Sequence, residues 1–423
     1  MNNFIECQIL CRFKPENVST FSVKKLFIFL PLLFSLNSLA ASIETLPADI
    51  YSPSFRYGQI TGLEQRYTES GSLMRLTDYK AIEFNARTLA QLNSQAEALI
   101  ASLNRFGAFN LGDSLNLGTL DIQSKPEIKY MAPVLGRGIT KNWSVGIGIP
   151  VIRYQNKVKL SQSFSNIDYY RSQFSGLSAD LDRALNTNIG ESTQQALEAK
   201  GYKRLDDRDQ QFIGDIQLAS VFKLYEDANQ SIVHQATLSL PTGPAYDADD
   251  LLALNTFHKT TLENTIAYAH NIGTFWKMVP YTTLNIAVPD QIEARVPTSD
   301  SDMLPDQDSK EMVQRMEGTS LEVGFQNIIA LGDSFQFSLD YKVGAKSEDR
   351  FTGSRGLRYE LLAKNTSASW QKVSAEVIYS SVKSYLSKKS AIPMNISLKI
   401  FDTIAGRNVE RRIGQELALT LFF

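Results

Sequence analysis

From Leu417 to the end of the chain, apolar side chains fall at every second position: Leu417, Leu419, Leu421 and Phe423, with Glu416, Ala418, Thr420 and Phe422 between them. Such alternation gives a strand one apolar and one mostly polar face. The period recurs upstream. Val145, Ile147, Ile149 and Val151 alternate with Ser144, Gly146, Gly148 and Pro150, and Ile216, Leu218, Phe222 and Leu224 with Asp215, Gln217, Ala219 and Lys223. Phe335, Phe337, Leu339, Tyr341 and Val343 form a third stripe, and Val373, Ala375, Val377 and Tyr379 a fourth. These runs of ten to fourteen residues exceed the ~5–6 of an ordinary strand and suit the ~9–11 that a tilted strand needs to cross a bilayer. No later segment approaches the ~20 apolar residues of a membrane helix. If the chain spans a membrane, it must do so as a closed barrel, because only helices and barrels satisfy their backbone in lipid.

The connections alternate as well. Short ones fall at residues 136–142, 226–230, 271–273 and 332–333, and long ones at 155–210, 242–257, 289–317 and 346–366. Short periplasmic turns and long external loops are the habit of outer-membrane barrels. With the carboxy-terminus in the periplasm the last strand runs inward, which puts 355–363 within an external loop and makes 381–391 a long periplasmic turn. One strand near 114–122 and eleven after it give about twelve, ten or fourteen being the alternatives. The expected fold is therefore all-β: a transmembrane antiparallel β-barrel of about 12 strands with an N-terminal helical segment. Pro280 lies inside a strand and marks a bulge or end.

Before the strands the period changes. Ile82, Ala86, Leu89, Leu92, Ala96, Leu99, Ile100 and Leu103 form one stripe at helical spacing, predicting a helix over residues 79–105. It fits a plug in the barrel, a periplasmic element, or a helix packed on some other core. A second helical stretch is expected at 177–199, within a long loop. Trp143, Phe275, Trp276, Trp370 and Tyr379 sit towards strand ends, where interfacial aromatic belts lie, although ordinary packing also accounts for them.

Lys24 and Lys25 precede an apolar run over residues 26–36, and Asn37, Ser38, Leu39 and Ala40 complete a secretory leader cut after Ala40. Its late position suggests that translation starts at Val23. The domain layout expected is a leader at 1–40, an irregular and helical region at 41–113 that can plug the barrel, and the barrel at 114–423. Both cysteines, Cys7 and Cys11, fall in the leader, so the exported chain has none, as suits an oxidising compartment. Residues 1–40 hold four Lys/Arg and two Asp/Glu, so the whole-chain charge of −2 becomes −4 for the remainder. Nothing points to a nucleic-acid partner.

The face opposite the apolar stripes carries Asp215, Lys223, Glu263, Glu322, Asp340, Lys342, Lys372, Glu376, Lys399 and Glu416. These are the candidate lumen-facing residues. With acids and bases mixed, they can pair across a bore rather than select one ion sign. Catalytic patterns are missing. His234, His258 and His270 stand in no serine–histidine–asparagine arrangement, and there is no Gly-x-Ser-x-Gly elbow, His-Glu-x-x-His or Walker loop. Asp300, Asp302, Asp306 and Asp308 are dense in carboxylate but lack calcium-loop spacing, and with Asp247, Asp249 and Asp250 they read as solvated acidic loops. No enzyme activity, cofactor or metal is expected.

The stretch His234-Gln-Ala-Thr-Leu-Ser-Leu-Pro-Thr-Gly243 runs from a strand into an external loop. It resembles outer-membrane proteins associated with phenol and aromatic degradation, which are remotely similar to the fatty-acid and toluene transporters. The resemblance implies uptake of hydrophobic small molecules past an N-terminal obstruction. The expected function is a channel in the cell outer membrane for passive passage of small, hydrophobic or amphipathic solutes. The alternative is a barrel whose long loops act in adhesion or scaffolding. The partners implied are outer-membrane lipid, the small-molecule solute, and the barrel assembly machinery, read through the last strand ending in Phe423.

Overall fold

The computed structural model describes residues 44–423 except 76–81, 86–99, 102, 106–110, 177–181, 183–185, 187, 255, 301 and 303. The leader expected at 1–40 lies outside the described residues. Twelve strands close into an antiparallel barrel. They are β1 (Tyr51–Thr61), β2 (Asn116–Thr140), β3 (Trp143–Gly148), β4 (Ile216–Glu226), β5 (Gln230–Leu240), β6 (Thr261–Ile272), β7 (Trp276–Ala287), β8 (Ser320–Leu331), β9 (Phe335–Lys346), β10 (Ala368–Ser380), β11 (Met394–Arg407) and β12 (Ile413–Leu421). Strands adjacent in sequence pair with each other, and β1 completes the ring by pairing with both β12 and β2. Closure leaves the ring without an unpaired edge, the condition for a sheet in lipid. The outward face carries exposed Phe55, Leu135, Phe222, Leu339, Leu398 and Leu417, side chains that only hydrocarbon would cover.

The expected count of twelve holds, but its membership differs. Residues 114–122 are no separate strand, since Asn116–Thr140 is one continuous element of 25 residues. The twelfth strand is Tyr51–Thr61, so the barrel begins at Tyr51 rather than at Ser114. Its alternation is hidden by Pro53 and Gly58, which read as breaks. Gly58 is in the strand because it lies directly opposite Tyr130 on β2 and leaves room for that ring.

The segment between β1 and β2 therefore sits at the long-loop, external end. Gln65–Tyr67 pairs there with Leu73–Arg75 and with Val409–Glu410. The helix expected at 79–105 is broken at its start, because Ile82–Asn85 is a strand paired with β2. Residues 100, 101 and 103–105 are helical, and most of the stretch between lies outside the described residues. Pro280 lies within β7. The ladder to β6 skips the rungs beside it, with Ala267 opposite Tyr281 and then His270 opposite Met278, as expected of a residue without an N–H. The long turn after Ser380 holds the short helix Val382–Leu386.

On one side the wall continues past the ring. β2 pairs with Val151–Ser163, which pairs with Arg208–Ile213. β3 and Val151–Ser163 are one strand interrupted at Ile149 and Pro150. Above the mouth the long loops pack into a cap. It contains a sheet of Asp290–Arg295, Lys310–Met316 and Arg350–Thr352 and the helices Ile167–Phe174 and Ile189–Ala199. Of the helix expected at 177–199, Ile189–Ala199 is the described helical part, and Asn188 caps it by accepting from the Glu191 N–H at 3.1 Å. One cap core is Ile292, Ala294, Val296 and Val313, and another is Leu197, Tyr202, Leu205 and Leu252.

Of the acidic loops read as solvated, the one at 247–250 is instead the anionic half of ties within this cap, whereas Asp300 and Asp306 keep half or more of their side chains exposed. Asp249 holds Arg295 (2.7 Å) and Lys310 (2.8 Å), Asp250 holds Arg208 (3.1 Å), Asp247 holds Lys203 (2.6 Å), and Asp300 holds Lys364 (2.6 Å). Spacing along the chain shows carboxylates in a row and cannot show the bases that other loops bring to them.

Candidate functional site

An antiparallel ring alternates side chains outward and inward, so the inward face is fixed once the apolar stripes turn to lipid. Eight strands suffice to fill a barrel with its own side chains, whereas 16–18 leave an aqueous channel. A twelve-strand ring lies between, and the size of its residues decides. Here four large aromatics on the inward face each lie directly opposite a glycine of the neighbouring strand. The pairs are Tyr130 with Gly58, Tyr281 with Gly324, Trp370 with Gly344 and Phe401 with Gly414. A Cβ at those glycines would come within 2.2, 2.2, 2.4 and 2.1 Å of the ring. The rings therefore lie flat along the wall rather than across the bore.

Polar tips of three of these rings anchor charges. Glu322 accepts from Lys342 Nζ at 2.8 Å, from Trp370 Nε1 at 2.7 Å and from Lys372 Nζ at 3.4 Å. Lys372 also stands 5.0 Å over the Trp370 ring, so Trp370 is an inward ligand and does not belong to an interfacial belt. Tyr281 donates to Asp340 at 2.9 Å, and Tyr130 to Glu416 at 2.6 Å, with Arg56 3.5 Å from the same carboxylate. Glu376 faces Lys399 across the β10–β11 ladder, and Glu263 lies on the inward face of β6, opposite Asn285.

The structure thus gathers Glu322, Lys342 and Lys372 into one cluster, places Asp340, Glu376, Lys399, Glu416 and Glu263 around it, and separates the remaining two. Lys223 is near the short-turn end, bound to Glu226 at 2.7 Å. Asp215 is a loop anchor. Its carboxylate accepts from the N–H groups of Gly243 (2.8 Å), His258 (3.0 Å) and Lys259 (3.3 Å). The Leu-Pro-Thr-Gly stretch serves the same rim, where Thr242 Oγ1 accepts from Ile216 N–H and donates to the Gly214 carbonyl, both at 2.9 Å.

Both mouths are narrowed. At the external mouth Leu254 and Phe257 of the β5–β6 loop pack on inward Ile60, Ile128, Tyr130, Ile152 and Tyr154, with Phe212 and Phe401 alongside. At the short-turn end residues 44–49 reach from one wall towards another. Thr45 Oγ1 donates to the Lys141 carbonyl (2.8 Å), Leu46 N–H to Ser144 Oγ (2.8 Å), and Arg137 holds Asp49 (3.1 Å). Glu44 meets Lys277 of β7 at 3.1 Å, with β4, β5 and β6 standing between β3 and β7 in the ring. The glycine–aromatic pairs and this strap were missed in the sequence. Only strand register pairs Gly324 with Tyr281, and only closure brings Glu44 near Lys277.

No protein-family profile matches the chain, and no curated protein matches its sequence. Among solved structures, an outer-membrane channel from Pseudomonas putida F1 is similar to it over 90% of this chain and 98% of that one, at 12% identity and a TM-score of 0.50. The toluene transporter TodX from Pseudomonas putida covers 97% of this chain and 98% of its own, at 9% identity and a TM-score of 0.31. The monoaromatic hydrocarbon channel CymD covers 94% and 95%, at 8% and 0.34. The likeness to the Pseudomonas putida F1 channel shows the fold, that of an outer-membrane barrel.

Proposed function

We propose that this chain is a passive outer-membrane channel for small hydrophobic or amphipathic solutes. The observation that carries the reading is the set of four rings laid over glycines, which keeps a twelve-strand bore from being filled by its own side chains. The wall mixes aromatic faces with acids and bases set near one another, so it offers solutes apolar contact without selecting one ion sign. The collar of Leu254 and Phe257 favours the apolar part of a solute at entry. The segment at 44–49 acts as the restriction at the far end. The barrel of the Pseudomonas putida F1 channel supports the reading at the level of fold.

The test is solute flux into proteoliposomes carrying the full chain or a variant lacking residues 44–49. Aromatic alcohols and sugars of equal size serve as probes. Flux of the aromatic probes above protein-free vesicles, rising further in the variant, is expected. No flux of any probe in either form would overturn the proposal and favour adhesion or scaffolding.

A further inference from the structure

We infer that the wall rising past the ring beside β2 binds the phosphate groups of outer-leaflet lipid. The inference rests on the outer-membrane placement of the barrel, and not on what passes through it. The inward face of this wall is covered by the cap, with Ile122, Val158 and Leu160 packed on Leu197, Tyr202 and Leu252. The outward face is bare and basic. Lys125 lies directly opposite Lys157, and Lys129 directly opposite Arg153, with Lys159 one further pair along.

Like charges directly opposite each other on one sheet face destabilise it. Three acids on this face answer part of the charge, Glu127 at 3.0 Å from Lys129, Asp209 at 2.6 Å from Arg153, and Asp121 bound by Gln123, the residue opposite Lys159, which leaves five bases against three acids. Lys125, Lys157 and Lys159 are exposed and form no ion pair among the described residues. A sheet gains nothing from such an arrangement unless an anion outside the chain completes it.

Position says which anion. On the same outward face the apolar belt ends at Met131 and Leu135 of β2 and at Ile213 and Leu218 beside them. Lys129 is the next outward residue above Met131, and Lys125 stands four residues higher, roughly 13 Å along the strand. The cations therefore begin where hydrocarbon ends and continue through the headgroup depth. On the two strands next to β2 in the ring, at the level of Lys129, the outward residues are Gln59 and Gln415, neutral and bound to each other at 3.2 Å. Juxtamembrane Lys and Arg near an anionic lipid surface each strengthen attachment about fivefold.

The experiment is binding of phosphorylated lipid A, and of the same lipid with its phosphates removed, to the full chain in neutral detergent by native mass spectrometry. The triple variant Lys125→Gln/Lys157→Gln/Lys159→Gln should bind phosphorylated lipid on the order of a hundredfold more weakly. A triple Lys→Arg variant should bind as the parent does. Heat-modifiable gel mobility verifies that each barrel is folded. Equal binding of the two lipids, or undiminished binding by the Gln variant, would overturn the inference. Displacement of the lipid by inorganic phosphate at matched concentration would overturn its assignment to a lipid surface.

Discussion

Arg295 is where the external cap is tied together, so its replacement tests whether the cap is one packed body. Its guanidinium is 6% exposed for the residue as a whole and reaches three loops. It donates to Asp249 Oδ1 at 3.0 and 2.7 Å, to the carbonyls of Lys200 (2.6 Å) and Gly201 (2.8 Å), and to that of Pro305 at 3.1 Å. It also lies 3.9 Å over the Tyr202 ring. In Arg295→Met the three carbonyls lose their charged donor, at about 1–3 kcal/mol for each group left unsatisfied. Asp249 keeps Lys310 at 2.8 Å, and water will reach some of the carbonyls, so the net cost falls near the 3–5 kcal/mol of a broken buried pair. That cost corresponds to opening the cap on the order of a hundred to a few thousand times more often. Because cleavage of a transiently open segment tracks its population, trypsin should cut near Lys200, Lys203 and Arg204 faster by a comparable factor. The barrel itself should keep its heat-modifiable mobility. Arg295→Lys should rescue little, since one ammonium cannot reproduce the planar fork. Cleavage of Arg295→Met within threefold of the parent rate would refute the reasoning, and so would loss of the barrel together with the cap.

Three further outcomes follow from the same contacts. Gly324→Ala places a Cβ 2.2 Å from the Tyr281 ring, so the ring must turn into the bore. The variant should lose about 1–3 kcal/mol and conduct less, by urea titration and single-channel recording. Unchanged conductance would count against flat rings as the device that keeps the bore open. Lys259, Glu317, Lys346 and Asp349 form a buried chain at the rim, with separations of 2.6, 3.7 and 2.6 Å. Burial pushes the Glu317 carboxyl up, but Lys259 and Lys346 outweigh it and bring it down to about 2 from 4.5. A depressed carboxyl stabilises above its unfolded value and loses that contribution as pH falls through the folded one. Pepsin should therefore find the cap resistant near pH 4 and open near pH 2, while opening already complete at pH 4 would contradict it. Lys277→Ala removes the far anchor of residues 44–49, bound at 3.1 Å. An exposed pair of this kind is worth ~0–1 kcal/mol, so flux of the aromatic probes should rise modestly, well short of the rise in the variant lacking residues 44–49, and a rise equal to that of the deletion would contradict it.

Alternation with period two, and long connections at one end with short ones at the other, were enough to expect a transmembrane antiparallel barrel of about twelve strands. Lipid exerts this constraint locally, residue by residue, so the sequence displays it. The candidate inward charges are proposed for the same reason, because whatever faces away from an apolar stripe is expected to face the bore. Pairing was not legible. Tyr51–Thr61 looked broken because Gly58 answers Tyr130 on another strand, and Trp370 looked interfacial because Glu322 is 48 residues away in sequence. The carboxylates of the loops looked solvated because Arg295, Lys310 and Arg208 arrive from other segments. Alternation along one strand sets which face a side chain takes, whereas register between strands and the meeting of loops set what it touches. Only closure of the chain in three dimensions decides those contacts.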